Sequence, residues 1–291
     1  MLKKGNKNNF IEWVLLEKKY LMERTRMTLM YKIIQINFLL LFIFMVSAHA
    51  QNKNNGAVKE EIANNLNAEA DDEITISPEV EKTIEKALAF LSISQNTDGS
   101  WSESGYGKNV GVNSLIILAF MSMGNLPGEG QYGDVVAKGV DWVMAQSKDI
   151  GLIQNTDNGG GNAMYGHGLS TLMLSEVWGQ TRRKDVGEKL RKAVDLIVRV
   201  QGPKGTWGYF SIPQDGDTSV SVMQIFALKS AHDAGMYVPK ITMEKSIAGI
   251  KGRFDEKTNM FGYGSADNNI DSGNVGAHTA GTCILQICGE K

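Results

Sequence analysis

Cysteine is nearly absent from this 291-residue chain, which has only Cys283 and Cys288. On one helix, residues with that spacing diverge by roughly 140° at 3.6 residues per turn, so a disulfide between them would unwind it. Both read as small core residues. Charge of one sign is also lacking: the formal net charge is -2, and the basic residues beyond the N-terminal region are scattered. No electrostatic footprint for nucleic acid results, and no nucleic-acid partner is expected. The apolar stretch from Ile33 to Val46 is interrupted by Gln35 and Asn37. It falls short of the roughly 20 residues that span a bilayer, which argues against a permanent transmembrane helix.

That stretch has a different meaning in context. Lys3, Lys4, Lys7, Lys18, Lys19, Arg24, Arg26 and Lys32 precede it, and Ser47-Ala48-His49-Ala50 follows. A charged region, a short apolar region and a small-x-small end have the outline of a signal peptide. We expect residues 1–50 to form the signal region, cleaved near Ala50, with the protein exported to the periplasm or secreted. Membrane contact is then confined to this segment, and an uncleaved anchor is the weaker alternative. Met27 or Met30 would give a more conventional signal, so residues 1–26 read as an overlong start. From Gln51 to Ile76 the chain is rich in Asn, Asp, Glu and Ala without an aromatic residue. Such a composition buries too little apolar surface to offset its ordering entropy, so residues 51–77 read as a disordered linker. Ser77 as N-cap, Pro78 in the first turn and the acidic Glu79 and Glu81 then open a helix and the folded region, 78–291.

Internal periodicity organises that region. Gly124, Gly179, Gly235 and Gly289 each close an apolar helical stretch at intervals of roughly 55 residues, giving four repeats. Each repeat reads as a first amphipathic helix, a Gly-rich loop and a second, more apolar helix ending at the glycine. The expected first helices are Val80 to Ser94, Asp134 to Gln146, Val186 to Val200 and Met243 to Phe254. The expected second helices are Val112 to Met123, Gly168 to Trp178, Thr218 to Ala234 and Ala277 to Cys288. Leu115 through Met121 are apolar on every face, which calls for burial on most sides, whereas Ile84, Ala87, Leu88 and Leu91 form a stripe opposite Glu81, Lys82, Glu85 and Lys86. The expected architecture is all-α: about four helix hairpins with the second helices inside and the first helices outside.

The loops carry a more specific signal. Gln95-Asn96-Thr97-Asp98-Gly99-Ser100-Trp101 and Gln201-Gly202-Pro203-Lys204-Gly205-Thr206-Trp207 both read Gln-x-x-x-Gly-x-Trp after an apolar helix. The second repeat keeps Gln146 but has Gly151-Leu152-Ile153. The fourth has Phe254 in place of Gln and Phe261-Gly262-Tyr263 in the aromatic place. These loops resemble the QW motif of squalene and oxidosqualene cyclases, and the chain resembles the terpenoid cyclase and protein prenyltransferase superfamily. The resemblance implies an α/α toroid with its site at the N-terminal ends of the inner helices. The family ring has six hairpins and this chain supplies four, so the ring is expected to be open, completed by a partner, or cut short after Gly289. Physically the motif is a clamp: the Gln amide bonds unpaired backbone groups at a helix end and the indole packs on the next hairpin. Gln95, Gly99, Trp101, Gln201, Gly205 and Trp207 are therefore structural expectations.

Asp215-Gly216-Asp217-Thr218-Ser219 resembles the Asp-x-Asp-Asp-Thr acid motif of squalene-hopene cyclases, with Gly216 where the proton-donating Asp would stand. The residues themselves read first as a helix cap. In the prenyltransferase comparison, Asp215, Asp217 and His278 occupy places of zinc ligands, with Asp in place of Cys. A divalent metal on these three is the only cofactor the pattern admits, and otherwise none is expected. Tyr165 and His167, in the Gly-rich stretch that begins the second inner helix, join Asp215, Asp217 and His278 as a candidate rim around an apolar floor. With the acid motif broken, the leading reading is a noncatalytic binding or interaction module whose partner is an apolar small molecule or a protein. The rival is an isoprenoid-processing enzyme using Asp217 with His278 or a metal.

Overall fold

The computed structural model describes residues 77–102, 107–155, 162–264 and 275–290. The expected signal region and linker, 1–76, lie outside them. The described chain is all-α apart from one small ribbon. Its elements are α1 (Pro78–Ile93), α2 (Val110–Ser122), α3 (Gly133–Ala145), α4 (Ala163–Thr181), α5 (Lys184–Arg199), α6 (Thr218–Asp233), α7 (Lys240–Lys251), β1 (Phe254–Asp255), β2 (Met260–Phe261) and α8 (Val275–Ile287). Among the described residues no helix is long and apolar enough to cross a membrane.

Helix α1 begins as the sequence predicts, with Ser77 Oγ accepting from Val80 N and Pro78 in the first turn. The second helix of each repeat packs on the next: α2 on α4, α4 on α6, and α6 on α8. The first helices lie against this row, α3 on α2, α5 on both α4 and α6, and α7 on α6 and α8. Neighbouring second helices run parallel in register, because Ser114 Oγ donates to Ser170 Oγ and the Tyr165 hydroxyl meets Ser219 Oγ, pairs about one repeat apart. The core follows this row, with Phe120, Met173, Leu174, Ile225 and Leu228 fully buried. Two layers form because a helix apolar all round is covered only when flanked by its own kind on two sides.

Three sequence expectations change. First, α4 starts at Ala163 rather than near Gly168, so Tyr165 and His167 lie within its opening turns. Second, Gly179 does not close α4, which runs on to Thr181 with Arg182 in the left-handed conformation at φ 53°. Arg182 holds that position through bonds a glycine could not make: its guanidinium donates to Ala234 O at 2.8 Å and lies 5.2 Å from the Trp178 ring centre. Gly124, Gly235 and Gly289 do adopt positive φ after their helices. Third, α7 ends at Lys251, and Phe254 and Phe261 pair across the antiparallel β1–β2 ribbon with ring centres 5.1 Å apart.

The loops form one recurring clamp. Asn96 N donates to Ser100 O, Lys148 N to Leu152 O and Gly202 N to Thr206 O, closing the same turn in three repeats. Its glycine has φ of 89° at Gly99, 94° at Gly151 and 90° at Gly205. A Cβ at these positions would collide with the carbonyl oxygens of Lys138, Lys192 and Lys245, each on the following outer helix. Gln95 Nε2 donates to Gly99 O and Val135 O, and Gln201 Nε2 donates to Gly205 O and Thr242 O. The Gln thus ties its own loop to the first turn of the next outer helix. The unpaired end of the preceding helix is met by the indole instead: Trp101 Nε1 donates to Leu91 O at 2.7 Å and Trp207 Nε1 to Ile197 O at 2.8 Å. Both rings are buried. Gln146, in the repeat without Trp, donates back to Trp142 O in its own helix, and the fully buried Ile153 fills the aromatic place.

Candidate functional site

A second side chain completes each clamp and explains both candidate histidines. The backbone N–H of the residue in the aromatic place donates to a side chain near the start of the following inner helix. Trp101 N donates to Asn113 Oδ1, Ile153 N to His167 Nδ1, Trp207 N to Ser221 Oγ and Phe261 N to His278 Nδ1. His167 lies in the packed interior, with its Nε2 bonded to Ala193 O. With Nδ1 accepting, Nε2 must carry the proton, and the ring is neutral. Burial draws its pKa down from 6.5 to about 4, against the Ala193 bond. His278 lies at the edge of the array, its ring centre 6.0 Å from that of Phe261.

The two aspartates are placed apart in role. Asp215 closes the third-repeat turn, with its carboxylate accepting from Lys204 N, Thr206 N and Thr206 Oγ1. Asp217 is the N-cap of α6, and its Oδ1 accepts from Val220 N at 2.9 Å and Ser219 Oγ at 2.8 Å. Asp217 is only 6% exposed, and its Oδ2 is buried without a hydrogen-bond partner. A buried orphan acceptor is costly and uncommon, so its surroundings matter. No three His, Cys, Asp or Glu side chains converge to hold a metal among the described residues, so Asp215, Asp217 and His278 are not brought together as a ligand set.

Around Asp217 the structure gathers hydroxyls instead. The Tyr165 hydroxyl bonds Ser219 Oγ. Ser219 Oγ is 3.4 Å from the Tyr263 hydroxyl, which in turn is 3.5 Å from the Tyr209 hydroxyl. The rings of Tyr165 and Tyr209 are 5.9 Å apart and tilted. All three tyrosines are half-buried. Burial pushes the Tyr165 hydroxyl above its ordinary range, and closeness to the Asp217 carboxylate and to Tyr263 does the same for Tyr209. Both are protonated at physiological pH. Arg253 borders the cluster and donates to Thr218 Oγ1 at 2.9 Å, to Tyr263 O at 3.2 Å, and to Gly216 O.

The repeat places these tyrosines over helix starts. Met164 N donates to Tyr209 O, and Thr218 N to Tyr263 O. The loop of the next hairpin thus covers the N-terminal ends of α4 and α6. Tyr209 and Arg253 escaped sequence reasoning, and Tyr263 was read only as part of a degenerate loop. The available signal was Trp207-Gly208-Tyr209 beside Phe261-Gly262-Tyr263, the same aromatic-Gly-Tyr pattern one repeat apart.

The layered array and its rim can be set beside the folds of solved proteins. The fold is similar to that of a polysaccharide lyase. The TM-score is 0.51 at 13% sequence identity, over 70% of this chain and 65% of the lyase chain. This chain therefore spans just under two thirds of that protein's length, and at this identity the likeness concerns the fold alone. No family model and no curated protein sequence matches the chain.

Proposed function

We propose that the chain is an exported, noncatalytic binding module built on an arc of an α/α toroid, with its ligand site on the tyrosine-lined rim at the starts of α4 and α6. The observation that carries this reading is the Asp217 carboxylate: one oxygen is committed to capping α6, and the other is buried and unpaired beside hydroxyl groups. An acid that must protonate an alkene has to be held neutral in an apolar cavity. Here the surroundings are Ser219, three tyrosine hydroxyls and a guanidinium, which suit a hydrogen-bonding ligand better than the apolar one the sequence suggested. Kinship with the terpenoid cyclases belongs to the same proposal and rests on the two Gln-x-x-x-Gly-x-Trp loops. Export rests on the N-terminal charge and apolar pattern.

The rival, an isoprenoid-processing enzyme acting through Asp217, draws on the same buried carboxylate. Incubating the purified protein with squalene and with prenyl diphosphates separates the two. The binding-module reading expects no turnover. Product formation by the wild type that is lost in Asp217→Asn would sink it.

A further inference from the structure

The direction of the protons in the rim cluster restricts what it can recognise. Ser219 Oγ donates its only proton to Asp217 Oδ1, so toward Tyr165 and Tyr263 it can act only as an acceptor. The Tyr165 hydroxyl must then donate to Ser219, whereas the Tyr263 hydroxyl stands 3.4 Å from the same oxygen. Tyr209, within reach of the Tyr263 hydroxyl, donates to it or turns toward the unpaired Asp217 Oδ2. The Tyr165 proton therefore points inward, and the tyrosine oxygens keep lone pairs for a ligand. The rim is thus an acceptor array whose polarity is set by one buried carboxylate.

Charge narrows the ligand further. Arg253 lies beside the cluster, with three of its five N–H groups donating to Gly216 O, Thr218 Oγ1 and Tyr263 O, so its charge opposes a cation. The polar tips of the tyrosines meet one another, so the cluster does not present ring faces to an ammonium as an aromatic cage would. A neutral ligand with many hydroxyl donors fits the lone pairs of the tyrosine oxygens and avoids the guanidinium charge. We propose that Tyr165, Tyr209 and Tyr263, oriented through Ser219 by Asp217, bind the hydroxyl groups of a neutral oligosaccharide. This rests on the binding-module reading and names its ligand class.

The test titrates the full chain by calorimetry with a panel of neutral hexasaccharides (gluco-, manno-, galacto- and xylo-linked), with hexagalacturonate, and with tetramethylammonium chloride. Binding of at least one neutral hexasaccharide is expected, in preference to the other two probes. Tyr165→Phe and Tyr209→Phe keep the rings but remove the oxygens, and each should weaken that binding about three- to tenfold. Ser219→Ala, which leaves the helix cap in place, should weaken it comparably by freeing the tyrosine protons. Preference for hexagalacturonate or tetramethylammonium would overturn the proposal while leaving a binding module. Silence from every probe, or Phe variants that bind as tightly as the wild type, would also overturn it. Cleavage of a bound neutral hexasaccharide would instead refute the noncatalytic reading and uphold the ligand class.

Discussion

The most direct perturbation of the hairpin array is one added methyl group at Gly205. Two costs are expected in Gly205→Ala. The backbone there has φ of 90°, which costs an L-residue about 1 to 2 kcal/mol. The new Cβ also collides with the Lys245 carbonyl oxygen in α7, a backbone atom that cannot swing aside as a flexible side chain could. Separating two packed hairpins to relieve such overpacking costs about 1 to 3 kcal/mol more. Gly124→Ala is the control, because φ is 80° but nothing lies within 4 Å of its Cβ position. It should show only the first cost. The difference between the variants isolates the close approach of neighbouring hairpins. A difference of about 2 kcal/mol corresponds to a melting temperature roughly 4 to 8 °C lower for Gly205→Ala in a folded region of this size. Urea unfolding should show the same order in midpoint at constant slope. If Gly205→Ala were no less stable than Gly124→Ala, the clamp would not hold the hairpins together as described.

Other consequences follow from the same contacts. The His167 pKa is depressed to about 4 from 6.5, so the unfolded chain binds the extra proton first. Stability from this residue should be complete above about pH 6.5 and decline as pH falls toward 4, by at most about 3 kcal/mol. His167→Asn, which places there the residue of the first repeat, should flatten that dependence in unfolding titrations across the same range. Trp207→Phe removes the donor to Ile197 O from a fully buried site and should lower stability by about 2 kcal/mol in urea titrations. Asp217→Asn retains an N-cap acceptor and should be nearly neutral, whereas Asp217→Ala should cost about 1 to 2 kcal/mol. Equal losses in the two would contradict the capping role.

The helical repeat was readable because apolar spacing and glycine stops are local, and Ser77 and Asp217 as caps depend only on residues within three positions. Those features recur in the structure. The errors share a cause: each lay where a contact from elsewhere in the chain decided the outcome. Gly179 was taken as a helix end, yet Arg182 could adopt the left-handed turn because Trp178 and Ala234 receive its guanidinium. His167 looked like a rim residue because it stood near a helix start, yet it is fully buried as the clamp acceptor of its repeat, the bond that His278 makes in the fourth. Asn113 and Ser221 have the same task in the other repeats, and three different donor-acceptor chemistries hide the equivalence from a reading by residue type.

The sequence by itself determined that the folded part is helical, that it repeats, and that Gln, Gly and Trp lock its loops, since each property resides in short-range pattern and backbone freedom. Only the tertiary structure decided that Tyr165, Tyr209, Tyr263, Ser219 and Arg253 meet above one buried carboxylate. They come from different hairpins, and it is the parallel, in-register stacking of inner helices, a long-range packing outcome, that sets adjacent loops over each other's helix starts.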